Sequence, residues 1–142
     1  MIAIGVTSLK LLPERENSMS SEQYKMNSQR IFEDIWNAGN LAITQELFAP
    51  HYMLHVPLGT FQGIEGFKQY VTRMRSAFPD IHITIEDLFA EGDKSVVRWT
   101  ACGTHQGAFQ GIPPTGKQAS VTAITIFRWT HGMAEEAWTV YD

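Results

Sequence analysis

The chain has 142 residues, 44% of them apolar and 18% charged, with a formal net charge of −4. That length suits one domain with a core of its own, and those proportions exclude a disordered or collagen-like chain. A single Cys excludes an internal disulfide framework, and an acidic balance without any basic run argues against nucleic acid as a partner; Lys68, Arg73 and Arg75 are the nearest approach to a cluster.

Residues 1–18 ("MIAIGVTSLKLLPERENS") lack a positive leader, and the apolar run Ile2–Val6 is too short for a signal peptide. They are expected to form a flexible extension ahead of a single domain over residues 19–142. No apolar run reaches the length of a membrane span. The expected location is the cytoplasm, with no membrane partner.

Ser20 or Ser21 is placed to cap a first helix, whose buried face carries Ile31, Phe32, Ile35 and Trp36. Gly39 ends it, and Asn40 caps a short second helix from Leu41 to about Phe48 that Pro50 stops. A short strand is expected over His51–Val56. Ile64, Phe67, Val71, Met74 and Phe78 then form a helical stripe closed by Pro79. Beyond it the period switches to two. "IHITIEDLFA", "KSVVRWTACGTH", "ASVTAITIFRW" and "MAEEAWTVYD" read as four successive strands, with tight turns at Glu91–Asp93 and His131–Gly132. Helices first and antiparallel strands afterwards give an α+β fold, with the helices on one face of the sheet. A strand containing Gly103 can bend sharply, and a bent sheet wrapped around helices leaves a conical space suited to a small molecule.

Along the strand that ends in His105, alternation puts Val97, Trp99, Ala101, Gly103 and His105 on one face. This face is expected to be a pocket wall with His105 at its rim. Imidazole is the side chain that exchanges a proton near neutral pH; the bland reading is a strand-end His bonded to the following loop. Cys102 lies three residues away, on the opposite face, so a thiol–imidazole pair is disfavoured and a buried, inert Cys is expected. His51 and His55 would share a face on a helix. On a strand they stand about 13 Å apart, too far to share one metal ion. His55 is expected to point into the cavity. In the last strand, Glu136, Trp138, Val140 and Asp142 share a face, taken as a pocket floor carrying a carboxylate. The alternative is that Glu135 and Glu136 are solvated hairpin residues. "IPPTGK" is no phosphate loop, because a strand follows it, and Lys117 is read as solvated.

"GTHQGAFQGIPPTGK", then "ITIFRW", then "HGMAEEAWTVYD" resemble the SnoaL-like polyketide cyclases, or ester cyclases, of the nuclear transport factor 2-like superfamily. The resemblance runs from about Met19 to Asp142. It implies a cone-shaped barrel: a strongly curved antiparallel sheet wrapped around three helices from the N-terminal half. It implies intramolecular aldol ring closure of an aromatic polyketide by side-chain acid/base chemistry, with no metal and no cofactor, and His105 matches the family's pocket histidine. The sequence departs from the family in one respect: it has no Asp or Glu between Asp93 and Glu135, where the cyclases carry their key aspartate.

The expected site therefore takes His105 as the proton-transferring group and Asp142 as its orienter or second base. Trp36, Trp99 and Trp138 hold the substrate's rings, Glu136 and His55 lie beside them, and His55 and Tyr24 are candidate donors to an enolate. The expected ligand is a small apolar or aromatic carbonyl compound. The alternatives are a ligand-holding or dimerisation module without chemistry, or another reaction on the same cone, such as dehydration, isomerisation or epoxide hydrolysis. The outer sheet face, with Arg98, Thr100, Thr122, Ile124 and Ile126, is expected to meet a second copy in a homodimer.

Overall fold

The computed structural model describes residues 21–142. The expected extension over residues 1–18 and the cap at Ser20 lie outside them. The first helix, α1, spans 21–37: it is α-helical over 21–30 and π-helical over Ile31–Asn37. The wider π turn brings Ile31, Phe32, Ile35 and Trp36 into the core together. Gly39 adopts the left-handed conformation (φ 75°). The Asn40 N–H then donates to Asp34 O (2.9 Å) and the Gly39 N–H to Ile35 O (3.0 Å), a left-handed C-cap one residue wider than a Schellman motif because it closes a π turn. Asn40 also accepts from the Ala42 N–H (3.2 Å) and so caps the next element, a 3-10 turn Leu41–Ile43 that runs into the four-residue helix α2, Thr44–Leu47.

Strand β1 spans Phe48–Val56, longer than the expected His51–Val56, and continues through Pro50. Its register against its neighbour shifts between Phe48 and Met53, an irregularity that accommodates a residue lacking an N–H. A hairpin follows to β2, Gly59–Gln62, a strand too short to leave a period-two signal. Helix α3, Gly63–Ala77, then crosses to the far edge, where β3 (His82–Glu91), β4 (Lys94–Thr104), β5 (Gln118–Thr130) and β6 (Met133–Tyr141) form a meander. The sheet order is β2-β1-β6-β5-β4-β3. The fold is α+β, as expected, but the sheet is a curl open at β2 and β3 rather than a closed barrel, and β1 pairs with β6 in parallel. The parallel pair arises because β1 enters from the helical segment and joins the meander's last strand, with no hairpin between the two.

The helices cover one face. At one end of that face a buried polar chain pins α1 to the sheet. Trp129 Nε1 donates to Ser95 Oγ (2.8 Å), the Ser95 and Ser28 hydroxyls lie 2.7 Å apart, and Ser28 donates to Tyr24 O (2.6 Å). Tyr24 stacks on Trp129 at 4.9 Å.

At the other end, the segment after β4 grips the C-terminus of α3. The Gln106 and Gly107 N–H groups both donate to Ala77 O (2.9 and 3.0 Å). Asp80 accepts from the Thr104 N–H and the Thr104 hydroxyl (2.7 Å each). This contact explains two of the motif's glycines. A Cβ on Gly103 would press on Phe78 Cβ (3.0 Å), and one on Gly107 would overlap the Ser76 carbonyl oxygen.

Gly107→Ala is expected to destabilise the fold by roughly 1–3 kcal/mol in denaturant titration, because rigid backbone must move; an unchanged midpoint would sink this account. Thr104's two hydrogen bonds hold the Asp80 carboxyl below its ordinary range. A carboxyl with a depressed folded-state pKa stabilises at neutral pH, and that contribution is lost as pH falls through the depressed value. Asp80→Asn is therefore expected to flatten the acid limb of the melting temperature against pH, and an identical acid limb would refute it.

Candidate active site

Between the helices and the inner sheet face lies a cavity of about 320 Å³. Strand alternation sets its wall. Trp99 and Ala101 of β4, Thr125 and Phe127 of β5, and Thr139 and Tyr141 of β6 face inward. Phe32 and Trp36 of α1 and Tyr70 and Met74 of α3 form the opposing side. Phe109 and Gln110 come from the loop after β4, where they belong to a small hairpin closed by a Phe109–Ile112 backbone pair.

No Asp, Glu, Lys, Arg or His lines this wall among the described residues. Its polar groups are uncharged: hydroxyls, the indoles of Trp36 and Trp99, the Gln110 carboxamide and the Cys102 thiol. Burial pushes the phenols of Tyr52 and Tyr141 up, and burial together with the nearby Tyr141 pushes Tyr70 up to about 12. All three stay protonated near neutral pH and can serve as hydrogen-bond donors. Deeper in, Trp99 Nε1 donates to Thr125 Oγ1 (2.9 Å), which lies 2.7 Å from Thr139 Oγ1.

The expected site residues divide between the two faces of the sheet. Trp36 and Trp99 line the cavity. Trp36 meets Phe67 and Tyr70 edge to face, with centroids at 6.2 and 5.4 Å. His105 is buried but is not part of the wall; its ring packs on Phe78, a wall residue, at 5.5 Å. Thr115 holds its Nδ1 through the hydroxyl (3.0 Å) and the backbone N–H (3.4 Å). A backbone N–H only donates, so Nδ1 accepts and the proton of the neutral ring sits on Nε2. That Nε2 is buried with no hydrogen-bond partner, alone in this respect among the described residues. Such a group calls for an explanation.

His55, Glu136 and Trp138, expected inside, are on the outer face. His55 Nε2 donates to Glu136 Oε2 (2.6 Å), Arg128 Nη2 donates to Glu136 Oε1 (3.0 Å), and His55 stacks on Trp138 at 5.8 Å. His55 and Arg128 hold the Glu136 carboxyl below its ordinary range, the reverse of the raised value expected of a pocket acid. The physical reason is space. Ala134, Ala137 and Thr139 are small and buried and leave room for helices and a cavity, with Tyr141 on its wall, so Glu136, Trp138 and Val140 point outward. Asp142 is exposed, its N–H donating to Thr122 O (3.1 Å), and makes no contact with His105. Tyr24 is committed to Trp129. Cys102 is exposed rather than buried, its Sγ 3.7 Å from Ser120 Oγ. His51 and His55 share the outer face of an extended strand, and no group of three or more His, Cys, Asp or Glu among the described residues could hold a metal ion. No helix among them is long and apolar enough to cross a membrane.

Tyr52, Tyr70, Thr125, Thr139 and Tyr141 were missed. Parity along "ASVTAITIFRW" and "AWTVYD" pairs Thr125 with Phe127 and Thr139 with Tyr141. The missing signal was which face turns inward.

The model of the SnoaL-like polyketide cyclase family matches residues 27–142. A comparison with curated proteins found no match. Among solved structures, a candidate SnoaL-like polyketide cyclase from Jannaschia sp. CCS1 is 26% identical over 86% of this chain and 87% of its own, with a TM-score of 0.80. IdmH, a candidate polyketide cyclase from Streptomyces antibioticus, is 31% identical over 82% and 89%, TM-score 0.71. AclR, a candidate hydroxylase from Streptomyces galilaeus, is 25% identical over 85% and 75%, TM-score 0.74. With the family's pattern running from Asn27 to the last residue, on a fold shared with these proteins, the chain belongs to the SnoaL-like polyketide cyclase family.

Proposed function

We propose that this protein enolises an uncharged, apolar, ring-bearing carbonyl compound, as a step in ring closure or isomerisation. The observation that carries the reading is an apolar cavity walled by neutral donors, with a buried, unpartnered imidazole nitrogen at its edge. A charged substrate would lose its hydration there with no counter-charge in return. A developing enolate oxygen, by contrast, would meet preorganised hydroxyl donors in a place of low dielectric. With the ring in its other tautomer, Nδ1–H donating to Thr115 Oγ1, His105 Nε2 is free to take the α-proton and return it, reached when the Phe78 ring moves aside. Thr115, rather than Asp142, fixes the ring. The family supports a cyclase or isomerase type of role, and the candidate hydroxylase among the similar structures indicates that the same cone serves other chemistry.

A second reading has its own support. With no acid or base on the wall, the cavity suits a ligand-holding module. Exchange of the α-protons of 2-tetralone into deuterated water separates the two. The enzyme reading expects acceleration by wild type, reduced at least about a hundredfold in His105→Gln. Binding of 2-tetralone without faster exchange would favour the module.

We also infer that the outer face meets a second copy of the chain. Ile126 pairs with Trp138 and Ile124 with Val140 across β5 and β6, leaving four exposed apolar side chains in one strip. Wild type is expected to sediment as a dimer at micromolar concentration and Ile126→Glu as a monomer. A monomeric wild type would end this inference.

A further inference from the structure

Two chains of the same chemical kind run across the inner sheet face. In the first, Trp129 donates to Ser95, Ser95 to Ser28, and Ser28 to the carbonyl of Tyr24. It holds three protons and three acceptors, and every proton is used.

The second chain starts alike. Trp99 Nε1 can only donate, and Thr125 Oγ1 accepts it at 2.9 Å. Thr125 and Thr139 share one contact at 2.7 Å. Here three protons meet two contacts, and neither threonine has another hydrogen-bond partner among the described residues. One hydroxyl proton is left over. If Thr139 donated to Thr125, the unused proton would be Thr125's, on the more deeply buried group (3% exposed against 8%). If Thr125 donates, the unused proton belongs to Thr139, and both side chains line the cavity. The outward direction leaves the spare proton on the more exposed of the two threonines, and each link polarises the next, so the terminal hydroxyl is a strengthened donor.

We propose that Thr139 Oγ1–H is a ligand-binding donor, which takes the place of the missing backbone acceptor with an acceptor on the ligand. This rests on the reading of the cavity as the binding site. It adds an orientation: an uncharged, mostly apolar molecule enters with a carbonyl-type oxygen leading and seats that oxygen on β6. Nothing on the wall among the described residues could neutralise a carboxylate or an ammonium group.

The test compares 1-tetralone with tetralin, two neutral bicyclic compounds that differ by the carbonyl oxygen, through their dissociation constants and the infrared stretch of the bound ketone. Wild type is expected to prefer 1-tetralone by about fivefold to tenfold, the effect of one hydrogen bond. Thr139→Val, nearly the same in shape, is expected to abolish the preference, leave tetralin binding unchanged and raise the carbonyl stretch. Thr139→Ser is expected to restore both signals, which a purely structural role would not do. If Thr139→Val keeps the preference, or Tyr52→Phe removes it instead, the assignment to Thr139 is wrong. If wild type binds both compounds equally, the donor proposal falls while the cavity stands as a binding site. If wild type binds neither, the cavity reading falls and takes the proposal with it.

Discussion

The cavity depends on how the end of α3 is held. A helix crossing an open, curled sheet would bury most apolar surface by settling fully onto it. Here its last turn is fixed from outside. Ala77 O accepts from Gln106 and Gly107, and Asp80 accepts from Thr104, so the segment after β4 sets where the helix stops. The grip is tight enough that Gly103 and Gly107 have no room for a Cβ. With α3 held there, Tyr70, Met74 and Phe78 face the sheet across a space instead of closing it. The motif that carries the family resemblance is therefore first a backbone clamp. His105 occupies the middle of that clamp, which explains both its burial and its bond to Thr115.

The same geometry divides polar work between two places. The pinned end uses its hydroxyls up in a chain that ends on a backbone carbonyl, and it gains rigidity from complete satisfaction. The cavity keeps an indole and two threonines one acceptor short, three phenols beside them, and no charged side chain on its wall among the described residues. Neutral donors around an apolar space favour an oxygen that gains negative character during reaction over one that enters already charged. The outer sheet face gathers the ions instead. Glu136 lies between His55 and Arg128 where water screens the pairs, so the network contributes little to stability and more to the character of that surface.

Much of the fold was legible in the sequence because it follows from local rules. The period switch after Pro79 marks the meander, Gly39 and Asn40 mark the α1–α2 joint, and the Ile64–Phe78 stripe marks α3. His51 and His55 read correctly as residues of an extended strand. Parity also grouped the neighbours on each strand correctly. Val97, Trp99, Ala101 and Gly103 share the inner face, and Ile124 and Ile126 the outer one. Those features depend on contacts between residues close in sequence, or on a side-chain period that the chain itself carries.

Other features depend on what lies opposite, and periodicity holds no information about that. In β6, alternation offers two candidate faces, and the one bearing Trp138 and Glu136 invites the reading of a pocket floor because an aromatic and an acid suit a pocket. The helices selected the other, since its small residues, Ala137 and Thr139, leave them room. The parallel register of β1 on β6, the short strand β2, the π turn of α1 and the unfinished chain from Trp99 to Thr139 are likewise tertiary outcomes. The sequence by itself determined the elements and the pairing of residues into faces, because those follow from backbone geometry. Only the tertiary structure decided which face encloses the cavity and which hydroxyl is left a proton to give, because both are settled by volumes and partners that meet across the fold.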